Sequence, residues 1–165
     1  MSNKVFIIYH NQNIINEIIN ELYETSSDIN ISNKFTTEKN DVVNSFPYSY
    51  YYINQLEVNK ALKNNSVLYI ITNDYVSTGI TIDDFYNNDV FCMNYKEYNA
   101  IPDIIFNKYN ILTVWVDSKQ SSYDQSILSE IPFVEKRLER VNYNYYFNDK
   151  NSDIIKDIIN FIQEI

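Results

Sequence analysis

The sequence predicts an α/β protein, a single domain over residues 1–165 with a three-layer, flavodoxin-like fold and a five-stranded, mainly parallel sheet. The chain has 165 residues, of which 45% are hydrophobic and 21% charged, a balance typical of one globular domain. Short apolar runs rich in β-branched and aromatic residues indicate strands buried on both faces. These runs alternate with stretches of helical periodicity, and the alternation favours parallel strands joined by right-handed crossovers.

Five runs predict the strands of this sheet. In chain order they are Lys4–Tyr9, Ile29–Phe35, Ser66–Thr72, Ile111–Val116 and Tyr143–Phe147. Between the second and third strands, residues 36–50 are polar and then aromatic, and they predict a long loop. Residues 76–93 contain three aspartates and show no clear period, so we expect an irregular segment there.

Apolar residues at helical spacing predict the helices. Ile14, Ile15, Ile18, Ile19 and Leu22 form one stripe of a helix over 13–24, and five isoleucines repeat this pattern in a helix over 153–164. Weaker patterns predict helices over 52–63, 95–108 and 133–140. Proline costs about 3 kcal/mol inside a helix, so Pro102 predicts a boundary or kink near residues 100–101.

Charge and composition exclude several classes of protein. The net charge is −9, with 22 acidic and 13 basic residues, which disfavours binding to nucleic acid or to an anionic membrane surface. One cysteine and one histidine exclude a structural disulfide and a zinc site, so we expect no metal. The single glycine excludes both the Walker A loop and the G-x-G-x-x-G loop. We find no signal peptide and no apolar run near 20 residues, and expect a cytoplasmic protein.

Ligands of open parallel sheets bind beyond the carboxyl ends of the strands. This geometry places Tyr9 and His10, after the first strand, and Thr72 and Asn73, after the third, on the candidate face. Tyr9 offers a ring for stacking and His10 a group that hydrogen-bonds or titrates. The alternative is that both residues only seal the edge of the sheet. For Cys92, a small buried hydrophobe is favoured over a nucleophile paired with His10.

Three segments resemble TIR (Toll/interleukin-1 receptor) domains. Residues 5–13, VFIIYHNQN, resemble the opening strand and first loop of that family. Residues 61–77, ALKNNSVLYIITNDYVS, look like its helix end and following hydrophobic strand. Residues 95–100, YKEYNA, resemble the segment that carries the glutamate of NAD-cleaving members. The sequence departs from the family at Ile8, where serine is usual, and at Pro102, which closely follows Glu97.

The resemblance implies a bacterial NAD glycohydrolase or ADP-ribosyl cyclase with Glu97 as the catalytic carboxylate. A carboxylate beside the ribose would stabilise the oxocarbenium-like transition state. The implied NAD pocket consists of Tyr9, His10, Asn11, Phe46, Thr72 and Asn73. NAD would be the substrate and no cofactor is expected. Stand-alone TIR subunits of Thoeris anti-phage systems further suggest an ADP-ribose-derived signal, a separate effector, and homo-oligomers formed through TIR–TIR contacts.

Three alternatives stand beside this hypothesis. Glu97 could be an ordinary surface glutamate, as most glutamates are. The chain could be a non-catalytic TIR-like interaction module that binds partners through the aromatic segment Phe46–Tyr52. It could also be an enzyme similar to nucleoside deoxyribosyltransferases, which would use a carboxylate at the ribose of a nucleoside.

Overall fold

The computed structural model describes residues 2–10, 12–39, 50–117, 125–140, 142–147 and 151–164. These residues form eight strands, arranged in two sheets, and seven helices that flank the sheets. The strands are β1 (Asn3–Tyr9), β2 (Lys34–Thr36), β3 (Tyr50–Tyr52), β4 (Val67–Asn73), β5 (Val76–Thr81), β6 (Val90–Met93), β7 (Asn110–Asp117) and β8 (Asn142–Phe147). The helices are α1 (Gln12–Thr25), α2 (Gln55–Lys63), α3 (Ile82–Asn87), α4 (Tyr95–Ala100), α5 (Asp103–Lys108), α6 (Gln125–Leu138) and α7 (Asn151–Gln163).

A parallel sheet forms the centre of the molecule, with strand order β6-β1-β7-β8. Because side chains alternate along a strand, β1 supplies residues to both faces of this sheet. Val5 and Ile7 pack with the apolar stripes of α1 and α7. Phe6 and Ile8 pack on the opposite face with residues from α4, α5 and α6. The three-layer α/β architecture and the mainly parallel sheet are therefore confirmed.

A second, mixed sheet has strand order β3-β2-β5-β4. In it β5 runs antiparallel to both β2 and β4, while β2 and β3 are parallel. The β4–β5 hairpin turns at Asp74 and Tyr75, whose φ angles are 47° and 71°. Two positive φ values in succession define the tight turn that suits the twist of a hairpin. The hairpin is therefore formed without a glycine in its turn.

The strand count and order differ from the prediction of one five-stranded sheet. The predicted strand Ser66–Thr72 does form, as β4, but it lies in the mixed sheet. Its hairpin was missed because Asp74 and Tyr75 occupy turn positions where glycine is the usual signal. β1 has two parallel neighbours, β7 and β6, and β6 lies inside the segment expected to be irregular. Its four residues are all buried, but so short an apolar run carries little periodicity.

The helices follow the prediction more closely. The helix predicted over 13–24 is α1, and the one predicted over 153–164 is α7. Pro102 does separate two helices: α4 ends at Ala100, and Pro102 is the N-cap of α5. The helix expected over 133–140 begins earlier, because α6 spans Gln125–Leu138 and contains Pro132. In the described part of the chain, no helix is long and apolar enough to span a bilayer.

Candidate functional site

One face of the mixed sheet contacts the carboxyl edge of the parallel sheet through Lys34, which lies 3.0 Å from Glu97 and 5.9 Å from the ring centre of Tyr9, and we call this boundary the inter-sheet cleft. Register and alternation identify this face, because directly paired residues point to the same side. It carries Lys34, Thr36, Tyr50, Tyr52, Tyr69, Ile71, Asn73 and Thr78. The opposite wall includes Tyr9 at the end of β1 and Glu97 in α4, which follows β6.

A buried polar cluster of Lys34, Tyr69 and Glu97 joins the two sheets at the base of the cleft. Lys34 Nζ lies 3.0 Å from both carboxylate oxygens of Glu97. Tyr69 donates its hydroxyl hydrogen to Glu97 Oε2 at 2.5 Å. Their relative exposures are 1%, 3% and 5%, so the ion pair is almost completely removed from water. A buried carboxylate needs such partners, because an unpaired buried charge is very costly.

Local sequence places Glu97 where Lys34 can reach it. Asn94 caps α4, and Glu97 is the third residue of the helix, so the two form a capping box. Asn94 accepts the backbone N–H of Glu97 at 2.9 Å, while Glu97 Oε1 accepts the backbone N–H of Asn94 at 3.2 Å. Each oxygen of Glu97 therefore already accepts at least two hydrogen bonds or ionic contacts. The carboxylate links α4 to strands β2 and β4 of the mixed sheet.

Tyr69 and Cys92, which lie in and beside this cluster, both have raised pKa values and keep their protons at neutral pH. Burial raises the pKa of Tyr69 well above its usual value, the negative charge of Glu97 acts in the same direction, and Lys34 opposes both. Burial also raises the pKa of the Cys92 thiol to about 12, although the ammonium of Lys34 lowers it in part. A thiol with so high a pKa is a poor nucleophile at neutral pH. Cys92 is the buried hydrophobe that the sequence favoured.

The outer part of the cleft is polar and accessible, and we call it the polar ledge: Lys39, Tyr52, Asn73 and Thr78. Tyr52 is 40% exposed, and the ammonium of Lys39 lies 5.4 Å from its ring centre. Asn73 is exposed and Thr78 half-buried on the same face of the sheet. The ledge thus presents a cation, an aromatic ring, an amide and a hydroxyl to solvent.

The structure brings some of the residues predicted to form one pocket together and places others apart. Tyr9 and Glu97 do lie near one another through Lys34, whose ammonium is 5.9 Å from the Tyr9 ring centre. His10 is half-buried just after β1. Thr72 and Asn73 lie in the mixed sheet, on opposite faces, and the hydroxyl of Thr72 is 2.9 Å from that of Ser77. Asn11 and Phe46 fall outside the described residues.

Two residues of the cluster escaped the sequence analysis. A signal for Lys34 was present, since a lysine within the apolar run 29–35 must find a buried partner if the run is a strand. Tyr69 carried no signal, because a tyrosine in a strand is commonplace. Their convergence on Glu97 depends on the mixed sheet, which no local pattern predicted.

The connection from β1 to α1 comprises only residues 10 and 11. In a P-loop, a glycine-rich segment of the form G-x-x-x-x-G-K-[ST] occupies the connection between strand and helix and surrounds the phosphates. A two-residue connection without glycine cannot surround a phosphate in this way.

Comparison with solved structures shows which known folds this chain is similar to. The chain is similar to a guanylate kinase from Anaplasma phagocytophilum, with a TM-score of 0.59 and 10% identity over 98% of this chain and 85% of that one. A de novo designed protein with a P-loop NTPase fold aligns at a TM-score of 0.44 and 13% identity, over 99% and 91% of the two chains. No family model matches the sequence. No curated protein matches it either.

The chain therefore has an α/β fold similar to that of a guanylate kinase. This finding corrects the function expected from the TIR resemblance. NAD cleavage, production of a cyclic ADP-ribose-type signal and a role in Thoeris anti-phage defence were wrong expectations, because the fold includes a mixed sheet and aligns with a guanylate kinase. The position of Glu97 agrees with this correction, since its carboxylate is engaged by Lys34 and Tyr69.

Proposed function

We propose that this protein binds a purine nucleoside monophosphate in the inter-sheet cleft and does not transfer phosphate from ATP through a P-loop. The observation that carries the proposal is the polar ledge beside the Lys34–Glu97–Tyr69 cluster, in a fold that aligns with a guanylate kinase. The name of that enzyme suggests a guanine nucleotide as the first ligand to test.

The ledge offers the groups that a mononucleotide needs. Lys39 supplies a cation for the phosphate, which matters in a chain of net charge −9. The exposed ring of Tyr52 provides a surface on which a base can stack. The buried cluster behind the ledge keeps the two walls of the cleft together.

Phosphoryl transfer is excluded from the proposal on the chain's own residues. Catalysis of transfer from ATP by P-loop enzymes depends on backbone N–H groups and a lysine that cradle the phosphates. The sequence has no Walker A motif, and its single glycine, Gly79, lies in β5, so the described residues include no glycine-rich cradle of this kind. We infer a binding function for the acceptor-type nucleotide alone.

Isothermal titration calorimetry with GMP, AMP, CMP and UMP tests the proposal. A ligand of this size gains roughly 0.3 kcal/mol per non-hydrogen atom, so we expect a dissociation constant on the order of 10 μM for the preferred purine nucleotide. Lys39→Gln should weaken it about tenfold. Lys63→Gln, which removes an exposed cation at the end of α2, is the matched control and should have no effect.

Two results would refute the proposal. The first is the absence of heat from all four nucleotides at millimolar concentration. The second is equal weakening by Lys39→Gln and Lys63→Gln, which would mean that only net charge matters. Incubation with GMP, Mg²⁺ and ATP should yield no GDP, and GDP formation that disappears in a Lys39→Gln variant would overturn the non-catalytic part.

A further inference from the structure

A second cavity lies among α4, α5 and α6, on the helical layer that covers the parallel sheet. Its volume is about 510 Å³, within the range of small-molecule sites. The walls include Phe133, Lys136, Arg137 and Arg140 from α6 and the turn that follows it. We call this space the α6 cavity. Its lining shares no residue with the polar ledge.

Positive charge is concentrated in the α6 cavity. The chain has only two arginines, and both line it, next to Lys136. Arg137 is used structurally: it donates to the carbonyl oxygens of Tyr98 and Asn99 at the end of α4, and lies 3.2 Å from Asp103. These bonds hold the guanidinium against α4 and fix one wall of the cavity.

Lys136 and Arg140 have no carboxylate partner among the residues that the structure describes. Lys136, in the last turn of α6, also stabilises that helix end, so its charge alone would not indicate a ligand. Carboxylates outnumber cations in this chain, 22 to 13. Lys136 and Arg140 line the same concave site, so their positive fields add there.

An aromatic ring completes the site. Phe133 is 66% exposed although it lines the cavity, so most of its ring contacts water. Covering such a ring with a flat ligand removes apolar surface from water, at roughly 25 cal/mol per Å². Two carboxylates also line the cavity: Glu130 accepts the side-chain amide of Asn99 at 2.8 Å, and Asp103, whose side chain is 75% exposed, lies 3.2 Å from Arg137. The groups that can attract a flat anion are Lys136, Arg140 and the ring of Phe133.

We propose that the α6 cavity binds a small molecule in which a flat ring carries a phosphate group, with Lys136 and Arg140 on the phosphate and Phe133 against the ring. This site is independent of the inter-sheet cleft and of the nucleotide proposed there. Phenyl phosphate contains the two recognition elements and nothing else, which makes it the probe of choice.

Nuclear magnetic resonance can observe this site directly. A chain with two arginines gives two side-chain Nε–H signals, which the variants Arg137→Lys and Arg140→Lys assign. Titration with phenyl phosphate should shift the Arg140 signal in a saturable way, with a dissociation constant in the millimolar range expected for about ten non-hydrogen atoms. Phe133→Ala and Lys136→Gln, which both keep the Arg140 signal, should each weaken binding about fivefold.

Three kinds of control distinguish the contribution of the ring, the contribution of the phosphate and the location of the site. Inorganic phosphate, which has no ring, should bind at least fivefold more weakly, and benzyl alcohol, which has no charge, should not shift the arginine signals. Lys63→Gln and Lys39→Gln should leave the affinity for phenyl phosphate unchanged, because both lie outside this cavity. An unshifted Arg140 signal at 20 mM (about the practical ceiling for so small a ligand), or equal affinities for inorganic and phenyl phosphate, would overturn the proposal.

Discussion

At the scale of single residues, Glu97 shows how a side chain gains its role from two independent contexts. The sequence N-x-x-E makes it part of a capping box, a property of its own helix. Lys34 and Tyr69 of the mixed sheet contact the same carboxylate, which therefore lies at the centre of a buried polar cluster. Removal of the negative charge leaves the ammonium of Lys34 buried without a counter-ion, which costs several kcal/mol.

Glu97→Gln should therefore lower the free energy of unfolding by about 3 kcal/mol, measured by urea denaturation. Glu57→Gln provides a matched control, since Asn54 and Glu57 form the same capping box at the start of α2 but on the surface. For Glu57→Gln we expect the free energy of unfolding to fall by about 0.5 kcal/mol. Equal losses in the two variants would show that the ion pair adds nothing beyond the cap.

Cys92 makes a second prediction at this scale. Its pKa is about 12 in the folded protein and near 9 in an unfolded chain, so the folded state holds the proton more tightly. The resulting stability is fully present below pH 9 and is lost as the pH rises towards 12. The difference in unfolding free energy between wild type and Cys92→Ala should fall above pH 9, by up to about 1.4 kcal/mol per pH unit.

A thiol reagent checks the same burial at neutral pH. As the chain has one cysteine, the reaction with Ellman's reagent reports on Cys92 alone. The native protein should react only as fast as it unfolds, and urea should release the reaction. Rapid modification of the native protein at pH 8 would contradict the buried position.

At the scale of elements, Gly79 determines how closely β5 can approach its neighbours. A Cβ at this position would lie 2.2 Å from the carbonyl oxygen of Tyr69 and 2.7 Å from the ring of Phe35. The first contact is with backbone, which cannot turn aside as a side chain can. The single glycine of the chain thus serves close packing inside the mixed sheet, rather than phosphate binding.

Gly79→Ala should destabilise the protein by about 3 kcal/mol or more, since the clash forces β4 and β5 apart. Thr78→Ala is the neighbouring control on the half-buried face of the same strand and should cost less than about 1 kcal/mol. Denaturant unfolding followed by circular dichroism measures both variants. A Gly79→Ala protein as stable as Thr78→Ala would refute the close approach.

At the scale of the whole molecule, two sheets share one chain, and the Lys34–Glu97–Tyr69 cluster is a polar connection between them. Tyr69 belongs to β4 of the mixed sheet, and Glu97 to a helix that follows a strand of the parallel sheet. A hydrogen bond to a charged group contributes about 1.5–3 kcal/mol. Loss of the hydrogen bond between Tyr69 and Glu97 should therefore lower the local stability of the mixed sheet more than that of the parallel sheet.

Tyr69→Phe tests this order of stability. Hydrogen exchange should become faster for backbone amides of β2 and β5, by a factor of about ten, while amides of β1 and β7 keep their rates. Tyr51→Phe, which removes the hydroxyl that donates to Asp84 at 2.6 Å, is a control inside the mixed sheet. Uniform acceleration in both sheets would mean that the chain unfolds as one cooperative unit.

The sequence by itself determined the local elements. Apolar stripes placed α1 and α7, buried runs placed β1, β4 and β7, and Pro102 separated α4 from α5. These features depend on neighbours within a few residues, so one sequence suffices to predict them. The tertiary structure alone decided that β6 pairs with β1 and that Lys34 and Tyr69 meet Glu97. The strand pairing joins Val5 to Val90, and the contacts of Glu97 join residues 28 and 63 positions apart. No local pattern encodes which distant partner a strand or a buried charge will find.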